Sequence, residues 1–65
     1  MKVEVYYVVE RSNKDSDYQE LKSGPLTYHE AIKFRNDYME EHLMCNYYLE
    51  IMKSYVELYP MNHEL

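Results

Sequence analysis

The residues of this chain that could do chemistry are three histidines, one cysteine and twelve acidic side chains. His42 and Cys45 stand three apart, a spacing that suits metal ligation. A zinc site, however, needs four ligands at compatible positions. His29 and His63 are the other imidazoles, and no second cysteine accompanies either of them. No metal and no cofactor is therefore expected. Carboxylates occur in pairs, Asp15 with Asp17 and Glu40 with Glu41. Acid–base catalysis requires surroundings that push the two pKa values of such a pair apart. A polar loop and the outer face of a helix do not supply them. No nucleophile elbow, phosphate-cradling loop or H-E-x-x-H stretch is present, and the lone Gly24 cannot build a glycine-rich loop. The expectation is a non-enzymatic protein with no catalytic residues.

Two polar side chains fall where a helix should be apolar. In "GPLTYHEAIKFRNDYMEEHLMC", residues 24 to 45, Arg35 lies at the centre of the apolar arc and His42 near its end. Arg35 can lay its aliphatic stem over the core and send its guanidinium to a carboxylate, with Glu4, Glu20 and Glu50 as candidates. It could instead anchor a protein interface, where arginine is enriched. The core reading is preferred. His42 suits the negative end of a helix dipole.

The elements that position these residues follow from periodicity. "VEVYYVVER", residues 3 to 11, alternates: Val3, Val5, Tyr7 and Val9 share one face, while Lys2, Glu4, Tyr6 and Glu10 mostly share the other. Period two and β-branched content predict a strand. "SNKDSD", residues 12 to 17, is a polar turn, and "YQELK", residues 18 to 22, returns as a short second strand. Thr27 and Glu30 form a T-x-x-E capping box, and Leu26 with Ala31 fits a hydrophobic staple. A helix is predicted from 27 to about 44. Tyr28, Ala31, Ile32, Phe34, Tyr38, Met39 and Leu43 fall in its apolar half.

Residues 46 to 59 read either way. As a helix they carry a narrow polar stripe; as a strand their Tyr, Ile and Val content fits better. Three strands are the usual minimum for an independent sheet, so a strand is predicted. The fold expected is α+β: a β-β-α-β two-layer domain over residues 1–59, with one helix on a three-stranded sheet and a tail at 60–65.

Composition narrows the partners. A chain of 65 residues has a thin core and often leans on oligomerisation. The net charge of −5 argues against direct nucleic-acid binding, which asks for clustered Lys and Arg. No apolar run is long enough for a signal peptide or a membrane span, and one thiol suits a reducing compartment, so a cytoplasmic protein is expected. Nine tyrosines against one phenylalanine and no tryptophan suit half-wet surfaces, either those of a small domain or those of an interface. A helix covers only one face of a sheet, yet both faces of the outer strands carry large apolar groups. A two-fold dimer that buries the uncovered face is expected.

The pattern "YYVVER … GPLTYHEAIKFR … YYLEIMKSYVEL" resembles the short β-β-α-β proteins common among the accessory genes of tailed bacteriophages. The step formed by Gly24, Pro25, Thr27, Glu30, Ala31 and Phe34 is also similar to sporulation-related repeat units. Peptidoglycan binding, which that repeat implies, calls for a repeated half that this sequence lacks. The phage resemblance implies a small effector that binds and inhibits a host protein. Acidic side chains in rows can compete for a basic, nucleic-acid-binding cleft. The expected partner-binding residues are Glu30, Asp37, Glu40 and Glu41 on the helix, with Tyr6 and Tyr48 on the strands. The target expected is a host nucleic-acid-handling or defence protein, within the host cytoplasm if the chain is phage-encoded. The alternative is a self-associating structural protein.

Overall fold

The computed structural model describes residues 1–57; the expected tail, Pro60 and His63 lie outside the described residues. Strand β1 spans Lys2–Ser12, β2 spans Gln19–Leu21, helix α1 spans Tyr28–Glu41 and β3 spans Tyr47–Glu57. The strands form one antiparallel three-stranded sheet in the order β2-β1-β3, so the predicted β-β-α-β architecture is the observed one. Residues 47–57 are strand, paired with β1 along their whole length, which satisfies the backbone groups of alternate residues.

The hairpin turn is held by its own polar side chains. Ser12 Oγ accepts from the N–H groups of Lys14 and Asp15, at 3.0 and 3.1 Å, and Asp15 Oδ1 accepts from that of Asp17 at 3.0 Å. These are side-chain turns that Ser and Asp form readily. Beyond β2 the chain stays along β1. Lys22 donates its N–H to the Val8 carbonyl, and Tyr6 and Leu26 exchange both backbone bonds at 2.8 and 2.9 Å. Between these two contacts Ser23, Gly24 and Pro25 depart from the ladder. The Ser23 hydroxyl fills the gap by accepting the Val8 N–H at 2.9 Å.

Leu26 is thereby pinned one residue before the helix cap. Thr27 Oγ1 accepts the Glu30 N–H at 3.2 Å, and Glu30 Oε1 accepts the Thr27 N–H at 2.9 Å. The predicted capping box is present, with Leu26 and Ala31 at the two staple positions. The helix stops at Glu41, three residues before the predicted end. His42 turns extended (φ −130°, ψ 139°), which carries Leu43 out of the expected apolar arc and leaves it 90% exposed.

Pairing parity decides which side of the sheet the helix covers. Glu4, Tyr6, Val8 and Glu10 share a face with Leu49, Ile51 and Lys53, and the Tyr6 ring meets the helix at Tyr28, 5.0 Å between centroids. The more polar face of β1 is thus the one under the helix. The fully buried Val8 and Ala31 form its centre. Fourteen helical residues span about 21 Å. The eleven-residue strands run about 36 Å, so the helix cannot cover the sheet end to end.

Candidate protein-binding surfaces

Three groups of side chains could act on another molecule: a polar cluster under the helix, the outer helix face and the uncovered sheet face.

The polar cluster is built around Glu10, buried on the helix side. Tyr18 donates its hydroxyl to Glu10 Oε1 at 2.9 Å and lies 3.2 Å from Glu20 Oε1. Lys22 Nζ sits 2.6 Å from Glu20 Oε1 and 3.6 Å from Glu10 Oε1. The same ammonium lies over the Tyr38 ring, 5.6 Å from its centroid. Hydrogen bonding to the Glu10 carboxylate pushes the Tyr18 hydroxyl up to about 12, with burial adding to the effect. The Lys22 ammonium is raised, chiefly by its bond to Glu20. Tyr18 keeps its proton and Lys22 its charge across neutral pH, so the two brace the Glu10 carboxylate from either side. Among the described residues no buried side-chain nitrogen or oxygen lacks a partner.

The cation that reaches under the helix is Lys22 and not the predicted Arg35. The carboxylates proposed for Arg35 have other partners: Glu4 pairs with Lys53, Glu20 with Lys22 and Glu50 with Arg11. Arg35 is half-buried, and its Nε donates to Asn36 Oδ1 at 3.4 Å. His42 does cap the helix. Its Nδ1 lies 3.0 Å from the Tyr38 carbonyl, which can only accept, so Nδ1 carries the proton. The ring stacks on Tyr38 at 4.0 Å, and Tyr38 in turn stacks on Phe34 at 6.2 Å. Among the described residues no group of three or more His, Cys, Asp or Glu side chains could hold a metal.

The outer helix face carries the four acidic residues predicted to meet a partner. Glu30 is engaged in the capping box and Asp37 in an i,i+4 pair with Lys33 at 2.8 Å. Both flank a shallow groove of about 280 Å³ whose apolar lining is Leu26 and Phe34. Glu40 and Glu41 are exposed on the last turn. Lys33 thus interrupts the acidic row, and half of that row already serves the helix.

The two predicted tyrosines part company. Tyr6 lies on the helix side, its hydroxyl donating to Glu4 Oε2 at 2.9 Å while Lys53 holds the same oxygen at 3.0 Å. Tyr48 stands on the opposite side, 44% exposed. They lie on opposite faces of the sheet. What the uncovered side offers with Tyr48 is Leu21, 60% exposed, and Met52, 37% exposed. Leu21, Met52, Tyr7 and Val9 line a shallow concavity of about 350 Å³ that also takes in Gln19 and Ser54. Leu21 is the residue sequence reasoning missed: it sits in a three-residue strand too short for an alternation signal.

Compared with known protein families, curated proteins and solved structures, the chain matches none of them. No helix among the described residues is long and apolar enough to cross a membrane.

Proposed function

We propose that the chain is a small, non-enzymatic protein-binding module that meets its partner through the uncovered face of its sheet. The observation that carries this reading is the exposed apolar set of Leu21, Tyr48 and Met52 around an open concavity. Apolar patches left open on a small domain mark interaction sites. The acidic helix face, ending in Glu40 and Glu41, and the net charge of −5 favour a partner with a basic surface. The phage resemblance supports a host nucleic-acid-handling or defence protein, which the module would inhibit or modulate. Tyr18 and Lys22 both engage Glu10, the one buried carboxylate among the described residues, which supports a bracing role for it and a binding role for the chain.

A second reading, a self-associating structural protein, is favoured by a separate observation. Strand β3 is rich in large apolar side chains, yet none of its residues is buried.

Pull-down from bacterial lysate with the wild-type chain, Leu21→Asp and the double variant Glu40→Lys, Glu41→Lys tests the first reading. One stoichiometric partner, lost with Leu21→Asp and weakened by salt and by the helix variant, is the outcome expected. Failure to capture any stoichiometric partner, or capture indifferent to Leu21→Asp, removes the sheet face as the site.

A further inference from the structure

We infer that the free edge of β3 is a dimerisation seam, where two copies pair β3 against β3, antiparallel, about a two-fold axis at Met52. Among the described residues, the order β2-β1-β3 leaves β3 at the edge over its full length. An exposed edge is a template for further pairing, and natural sheets blunt such edges with prolines, bulges, short strands or clustered charge. β3 uses almost none of these. Its register against β1 runs unbroken from Tyr47 to Glu57, without a bulge, and contains neither proline nor glycine.

The backbone groups available at the edge follow from the ladder. Tyr6 turns both its N–H and its C=O towards Leu26, away from β3. Lys53, opposite Tyr6, therefore turns its own pair outwards, and so do Leu49, Ile51 and Tyr55 at alternate positions. Met52 and its alternates bond inwards to β1.

Charge then selects the register. β3 carries Glu50, Lys53 and Glu57. An axis at Glu50 or at Lys53 would set like charges directly opposite, which is destabilising. An axis at Ile51 avoids this, but leaves Val56 and Glu57 facing the turn at Cys45 and Asn46. An axis at Met52 pairs the whole strand: Tyr48 against Val56, Leu49 against Tyr55, Glu50 against Ser54 and Ile51 against Lys53. Within each copy Lys53 is already neutralised by Glu4 and Glu50 by Arg11. A second copy is thus the occupant that this edge fits in every pair. It also explains why β3 keeps apolar side chains on both faces without burying them, since each face continues across the seam. A chain with so thin a core gains the oligomeric support that small domains need.

The seam uses the strand's edge and leaves Leu21 on the sheet face, so it stands or falls apart from the partner surface proposed above. Sedimentation of the full chain at micromolar concentration is the test, read together with four variants. Lys53→Pro removes an N–H that points out of the edge and leaves the intramolecular ladder intact, as prolines on edge strands do. In a Cys45→Ser background, Met52→Cys places two thiols in a non-hydrogen-bonded pair about 4.5 Å apart between Cα atoms, close enough for a disulfide. The expected results are a wild-type dimer, a monomeric Lys53→Pro with unchanged circular dichroism, and an oxidised dimer from Met52→Cys but not from Ser54→Cys. A monomeric wild type, a dimer that survives Lys53→Pro, or equal cross-linking from Ser54→Cys overturns the seam. If Lys53→Pro misfolds, the cysteine pair decides alone. A dimer lost on Leu21→Asp but retained in Lys53→Pro assigns self-association to the sheet face instead.

Discussion

The hydroxyl of Tyr18 donates to the buried carboxylate of Glu10 across 2.9 Å, joining the end of the hairpin turn to the central strand beneath the helix. Tyr18 also packs its ring 5.3 Å from that of Tyr47, so one side chain links the hairpin to the far strand. A single residue outside the regular elements thus braces β1 and β3 together.

That bond makes the fold sensitive to alkali. The Tyr18 hydroxyl is raised from 10.0 to about 12, so the folded state favours its protonated form. Stabilisation from a raised group is whole below the unfolded value and is lost as pH climbs through the folded one. Lys22 is raised as well and acts in the same direction. The denaturation midpoint of the wild type should therefore fall between pH 10 and about 12. In Tyr18→Phe the midpoint should start lower and fall less over that window. Urea denaturation across the alkaline range checks this; parallel curves for the two proteins would dissociate Tyr18 from the effect.

Thr27→Ala should destabilise the protein by about 1 kcal/mol, since it removes the acceptor for the Glu30 N–H and breaks the reciprocal box. Thr27→Ser keeps the hydroxyl and should restore most of the loss. Chemical denaturation of both variants reads the difference.

The centre of the fold should be intolerant in both directions. Val8 and Ala31 are fully buried on the covered side. Val8→Ala should cost about 2 kcal/mol through lost burial and the cavity left behind. Ala31→Leu should cost about 1–3 kcal/mol, because the helix would have to lift from the sheet to admit it. Thermal unfolding of the pair should rank both well below wild type. A stable Ala31→Leu would mean the helix rides looser on the sheet than its buried methyl implies.

The alternation of β1, the capping box and the preference for a third strand were legible because each is written in neighbouring residues. Other features depend on what meets across space. Glu10 reads as a solvent-facing residue in an alternating strand, yet it is buried because Tyr18 and Lys22 come back to satisfy it from eight and twelve positions later. Lys22 sits just past the end of a short strand, where no period marks its direction. Arg35 occupies the middle of the apolar arc by spacing alone, and spacing cannot tell that three candidate carboxylates have nearer cations. Tyr6 and Tyr48 are alike by residue type, and only register parity places them on opposite faces. Leu43 lost its place because the helix ends where His42 turns back to cap the Tyr38 carbonyl.

The two cations near the helix therefore predict unequal outcomes when removed. Lys22→Met strips the charge that lies between Glu10 and Glu20 and leaves Glu10 with Tyr18 as its remaining partner. Truncating one side of a partly buried, charge-assisted contact costs about 1–2 kcal/mol. Discounting is needed because the Glu10 contact is long, at 3.6 Å, and methionine keeps the packing against Tyr38. Arg35→Met removes a guanidinium whose Nε makes a 3.4 Å bond to its neighbour Asn36, and methionine replaces the aliphatic stem. Its effect should stay within about 0.5 kcal/mol. A double-mutant cycle separates the contact from the charge: Glu10→Gln should lose part of its cost once Lys22 is already methionine, and should keep all of it in an Arg35→Met background. If the coupling appears with Arg35 and not with Lys22, the helix is braced by the arginine, and the cluster under it is misassigned.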